Sequence, residues 1–153
     1  MEKNGKKKLS LCDGCVLLGI LTLIAVLSRP SITQAMEEKQ FSDMVRSLQA
    51  VRAQIRIYKA ETGRFPGQQQ IGDRSVTADE LIAALTAAQP GGDVSGLRQF
   101  PANPYLADPQ AAAAVTCVGD PDARPTGTEG TGWWYNAATG KFHACDSAFH
   151  TNY

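Results

Sequence analysis

The stretch Leu9–Pro30, LSLCDGCVLLGILTLIAVLSRP, constrains this chain more than any other. It follows the Lys6-Lys7-Lys8 cluster, carries one carboxylate, Asp13, near its start, and ends on Arg29-Pro30. A membrane-spanning helix needs about 20 apolar residues, because the hydrocarbon core is roughly 30 Å thick and each residue rises about 1.5 Å. Leu9–Leu27 comes close to that length, and the positive-inside rule sets the lysines on the cytoplasmic side. The sequence therefore predicts a basic flank over 1–8, a transmembrane helix over 9–30 and a domain outside the cytoplasm over 31–153. Removal of this stretch as an export signal is the alternative.

The 153 residues leave room for one small domain beyond that segment. Formal net charge is +0, and no global excess of cations marks nucleic acid as a partner. The four cysteines form two unlike pairs. Cys12 and Cys15 lie in the apolar stretch, where a CxxC lacks the polar neighbours and access that redox or metal chemistry needs; they read as small packing residues. Cys117 and Cys145 fall in the expected extracytoplasmic part, where thiols are usually oxidised. A Cys117–Cys145 disulfide is expected, worth roughly 3 kcal/mol by loop closure.

Beyond Pro30 the helical pattern resumes. Phe41, Met44, Val45, Leu48, Val51, Ile55 and Tyr58 recur at spacings of three and four, an apolar stripe with Arg46, Gln49, Arg52, Gln54, Arg56 and Lys59 on the polar side. Such a stripe follows Pro30 too soon for a long loop, so the proline is read as a kink and not a break. Thr62-Gly63 should end this helix, with Pro66 close behind. Run together from Leu9, the helix would be roughly 80 Å long, more than one small domain can bury.

Thr77-Ala78-Asp79-Glu80 is a capping box opening a short helix to about Ala88, with Leu81, Ile82 and Leu85 inward and Pro90-Gly91-Gly92 as the stop. Phe100–Tyr105 reads as a proline-punctuated turn, Val115–Val118 as a short strand, and Asp120–Gly132 as a loop. Trp133-Trp134-Tyr135 and Lys141–Cys145 flank Asn136–Gly140 as a hairpin, with Trp133 and Tyr135 on one face and Trp134 on the other. One face should pack on the amphipathic half of the long helix.

This layout resembles the type IV pilin superfamily, in particular the small pseudopilins of type II secretion systems. Leu9-Ser10-Leu11-Cys12-Asp13 stands where the family has its FTLIE motif, and Pro30 stands at the family's helix-kinking proline. Ile57–Pro66 is similar to the family's LYKxDNGRYP run, Phe100–Tyr105 to PxNPF, and Gly132–Gly140 to GWxYDxxTG. The resemblance implies an α+β fold: a long N-terminal helix, half transmembrane and half amphipathic, packed on a small antiparallel sheet. It implies a structural subunit with no cofactor and no turnover, assembling through its hydrophobic helix into a type II secretion or type IV pilus-like filament. Asp13 and the N-terminus at Leu9 would be the assembly contacts. The partners implied are like subunits, the inner membrane and prepilin peptidase, with a single-pass location and a periplasmic or extracellular head. Lys8 stands where that peptidase's substrates have glycine.

Side chains suited to catalysis are sparse in this sequence. His143, Cys145, Asp146 and His150 crowd one segment, but a single short segment rarely supplies a whole tetrahedral metal site, and Cys145 is assigned to the disulfide. Asp120, Asp122 and Glu129 read as a solvated loop rather than a calcium site. Phosphate loops, nucleophile elbows and HExxH are missing from the sequence. The alternative function is an exported soluble α+β binding protein, its signal peptide cleaved after Ala35.

Overall fold

The computed structural model describes residues 11–87 and 96–153. The chain divides into two units, Met1–Lys39 and Gln40–Tyr153. Helix α1 (Leu11–Thr62) is followed by α2 (Ala78–Thr86), α3 (Pro109–Ala113), strands β1 (Val115–Val118), β2 (Trp133–Asn136) and β3 (Phe142–Ala144), and a 3-10 turn over His150–Asn152. The fold class is α+β, as expected. Backbone helix continues through Pro30, so the proline does not terminate α1.

In the second unit the period of the sequence becomes the core. Met44, Leu48, Val51 and Ile55 bury their side chains in one cluster with Trp133, Tyr135 and Phe142 of the sheet. Alternation along β2 sets Trp133 and Tyr135 on the face that meets α1, as the sequence indicates. Gln54, read from the sequence as part of the polar side of α1, is instead buried, and its Nε2 has no hydrogen-bond partner among the described residues. A buried unpaired amide costs stability, about 1–3 kcal/mol, so the edge of the stripe is wider than its apolar residues show.

Each helix end follows a local rule. Gly63 adopts a φ of 76° and its N–H bonds Lys59 O at 2.9 Å, which stops α1 where the Thr62-Gly63 pair indicates. Thr77 caps α2 through a reciprocal bond with Glu80, and Leu81 and Leu85 face the core with Ile82 half-buried beside them. The stop expected at Pro90-Gly91-Gly92 lies outside the described residues. Helix α3 lacks an apolar stripe, because it is short and alanine-rich. Its signal is Asp108-Pro109: the carboxylate accepts from Gln110 N–H and proline fills the first helical position.

The expected antiparallel sheet is corrected to a mixed one, in the order β1-β2-β3. β1 runs parallel to β2 (Val115↔Trp133, Cys117↔Tyr135), and β3 antiparallel to it (Trp133↔Ala144, Tyr135↔Phe142). A parallel neighbour needs a connection of a dozen residues or more, and the loop over 119–132 supplies it by returning the chain to the start of β2. Val115–Val118 is a strand, as the sequence indicates, but of the two pairings only the hairpin has a sequence signature. Asn136 accepts from Ala138 and Thr139 N–H through Oδ1, and Gly140 turns at a φ of 71°.

The sheet also explains why the expected Cys117–Cys145 disulfide does not form; both thiols are free. β2 separates the two strands, which places β1 and β3 about 9–10 Å apart, beyond the Cα separation of about 7 Å that a disulfide tolerates. Register adds to this. Cys117 lies in the row of Tyr135 and Phe142 on the core face, while Cys145 is three residues past Phe142 and so points to the other face.

The transmembrane expectation for 9–30 is corrected too. Among the described residues, no helix is long and apolar enough to cross a membrane. Asp13 and Arg29 bound the charge-free run at residues 14–28, about 22 Å of helix against a hydrocarbon core of roughly 30 Å. The single-pass inner-membrane location, and the periplasmic or extracellular head that depended on it, do not stand.

Candidate functional site

In the first unit, α1 exposes a series of large apolar side chains. Leu18 is 68% exposed and Leu23 61%, with Ile20, Ile32 and Met36 also half or more exposed. Isolated apolar residues on a surface need no explanation, but several along one helix leave apolar surface that this chain itself does not bury. Acid and base side chains begin in earnest only at Glu37-Glu38-Lys39, where the helix approaches the second unit in sequence.

The second unit closes on itself around three sequence runs. Tyr135 Oη donates to Pro66 O at 3.2 Å, and Gln68 Nε2 donates to Ala137 O at 2.8 Å, joining the residues after α1 to the hairpin. Asn103, fully buried, donates to Gly132 O at 2.9 Å and to Asp146 Oδ1 at 2.8 Å, and accepts from Tyr105 N–H. Burial pushes the Tyr135 phenol up in pKa, with Cys117 and Tyr58 adding to it, so the hydroxyl stays a donor. Each of the runs Ile57–Pro66, Phe100–Tyr105 and Gly132–Gly140 thus contributes to these bonds, alongside Gln68 and Asp146 outside them.

Of the sequence-predicted site residues, Asp13 falls within the first turn of α1 and Pro30 in its course; Leu9 and Lys6–Lys8 lie outside the described residues. The HACDSAFH segment does not gather its side chains. His150 Nδ1 bonds Asp146 Oδ2 at 2.6 Å, His143 Nδ1 bonds Tyr153 O at 2.9 Å, and Cys145 Sγ donates to Glu129 at 2.9 Å. Among the described residues, no three of His, Cys, Asp and Glu are grouped to hold a metal. Burial, then the charge of Arg52, lowers the His143 pKa, so the ring is held neutral.

Glu129, which reads from the sequence as part of a solvated loop, has a structural task instead. Its carboxylate accepts from Thr126 N–H at 2.7 Å, from Thr128 N–H at 2.8 Å and from the Cys145 thiol, tying the long loop to the end of β3. Burial alone would raise its pKa, but the bonds from Cys145 and Thr126 outweigh that and hold it at about 2. Cys145 is pushed up to about 12 by burial and by Glu129, and Cys117 to about 11 by burial. Neither thiol is poised as a nucleophile.

These shifts set a pH dependence. The depressed Glu129 stabilises the fold above its ordinary pKa of 4.5, and this contribution disappears as pH falls toward 2. The raised Cys145 contributes below its ordinary 9.0, and its share disappears as pH rises toward 12. Urea midpoints measured across pH should therefore fall on both sides, and Glu129→Gln should flatten the acid limb and only lessen the alkaline one, where burial of Cys145 is the larger cause. Unchanged limbs in that variant would remove Glu129 from the explanation.

Comparison of the chain with protein-family models, with curated proteins and with solved structures returned no match.

Proposed function

We propose that this protein is a structural subunit of the pilin-like or pseudopilin kind, without catalytic turnover. It assembles with like subunits through the apolar N-terminal part of α1 into a filament of the type II secretion or type IV pilus class. The observation that carries this reading is the contrast along α1. The stripe Met44–Ile55 is buried by its own sheet, whereas Leu18, Ile20, Leu23, Ile32 and Met36 remain exposed to solvent. Apolar surface left in water is unfavourable by about 25 cal/mol per Å2, and lateral packing of the same section of other subunits removes it. Support also comes from the three sequence runs of the resemblance, since the run Gly132–Gly140 bonds to Pro66 of one of the others and to Asn103 of the other.

Asp13 is the proposed assembly contact, with the N-terminus at Leu9. A carboxylate at the start of an apolar helix becomes costly once neighbours exclude water, unless one of them brings a cation or a donor.

The test is the assembly state of the whole chain. Wild type should sediment as large species and show filaments by negative-stain microscopy, and Leu18→Glu with Leu23→Glu should leave only small species. Far-UV and near-UV circular dichroism of the head should not change. A wild-type chain that stays monomeric at all concentrations would overturn the reading.

A further inference from the structure

A groove of about 830 Å3 lies in the second unit, between the last turns of α1, the loop after β1, the β2–β3 hairpin and the 3-10 turn. Arg52, Arg56, Lys59, Arg124 and Lys141 line it, and among the described residues no Asp or Glu does. In a chain of zero net charge that is a concentrated field of one sign. Part of it is spent internally. Arg52 donates through Nε and Nη2 to Phe142 O at 2.9 and 2.6 Å, and the Lys59 ammonium sits 3.5 Å from the centroid of the Phe65 ring. Arg56, Arg124 and Lys141 are exposed, and among the described residues no hydrogen bond or ion pair engages their side chains.

We infer that this groove docks an extended acidic peptide segment of a partner protein, by pairing its carboxylates with Arg56, Arg124 and Lys141. The inference does not rest on the assembly reading. Charge complementarity names the sign of the occupant, and three features narrow its chemistry. First, α1 contributes its C-terminal turns, whose dipole end disfavours any single anion, so affinity has to come from several charge pairs together. Second, the cations sit on long side chains from separate elements, suited to several spaced charges. Third, the aromatic rings are not available for stacking. Phe142 is buried and Phe65 is already engaged by Lys59 and packed against Gly140, so the groove lacks the platform on which single-stranded nucleic acid depends. Guanidinium groups in turn suit carboxylates through paired N–H donors.

The experiment is fluorescence anisotropy of the whole chain with a labelled octapeptide of alternating Glu and Ala, at low and moderate salt. The peptide should bind and weaken with salt. Arg56→Gln, Arg124→Gln and Lys141→Gln together should lower its affinity by about tenfold or more, each exposed pair being worth up to about fivefold. All three side chains are exposed, so folding should persist, as checked by circular dichroism. Arg98→Gln, an exposed cation that does not line the groove, should leave binding unchanged. Absent binding, or binding indifferent to the triple variant, would overturn the proposal. So would an eight-nucleotide thymidine strand or inorganic phosphate binding more tightly than the peptide through the same cations.

Discussion

Trp133→Ala should destabilise the second unit by about 3–5 kcal/mol, a large part of the 5–15 kcal/mol that folded domains generally possess. Trp133 is fully buried on β2, its ring stacked on Phe142 with centroids 5.5 Å apart, and its indole N–H donates to Pro101 O at 2.8 Å. It therefore touches all three of the parts that must meet: the sheet, the stripe of α1 and the turn before α3. Truncation leaves a cavity that the neighbours cannot close, because α1 and the sheet are each rigid elements, and it orphans a carbonyl. Trp134 remains as a fluorescent reporter of unfolding, buried against His143 on the opposite face. Urea denaturation followed at Trp134 should show the midpoint falling sharply in Trp133→Ala. Trp133→Phe should recover most of the packing but not the bond to Pro101. A loss under about 1 kcal/mol in the alanine variant would mean that the core closes without this ring.

The elements that the sequence reveals are the ones governed by short-range rules. The stripe from Met44 to Ile55 obeys a 3.6-residue period, Thr77 and Glu80 satisfy each other across one turn, and Gly140 closes a hairpin whose strands adjoin it. What fails is decided at longer range. Nothing in Val115–Val118 says that it pairs with β2 in parallel; that follows from where the loop over 119–132 delivers the chain. The disulfide fails for the same reason, since two cysteines in one small domain look joinable until a strand lies between them. In the candidate site, the exposed apolar series on α1 can be read directly from residues. The cationic groove cannot, because Arg56, Arg124 and Lys141 are far apart in the chain and come together only through the fold. A signal was present in Arg52-Arg56-Lys59, three cations on one helical face, but it is indistinguishable in sequence from an ordinary solvated face.

Gly140→Ala should cost about 2–5 kcal/mol, from two sources that a single experiment can separate. The residue sits at a φ of 71°, a conformation that costs an L side chain about 1–2 kcal/mol. In addition, a Cβ there would lie within the van der Waals envelope of the Phe65 ring. Phe65 has little freedom to withdraw, since it packs against the core and carries the Lys59 ammonium over its ring. Overpacking of this kind typically adds about 1–3 kcal/mol. The two sources differ in their dependence on Phe65. In a Phe65→Ala background the steric part should vanish and the conformational part should remain, so that Gly140→Ala then costs only about 1–2 kcal/mol. The difference between the two backgrounds is the coupling energy of a double-mutant cycle, expected at about 1–3 kcal/mol. A cost that is the same in both would show that the hairpin tip relaxes away from Phe65. A cost near zero in both would show that the turn readily adopts another backbone conformation, and that the hairpin's closure on the end of α1 does not depend on glycine.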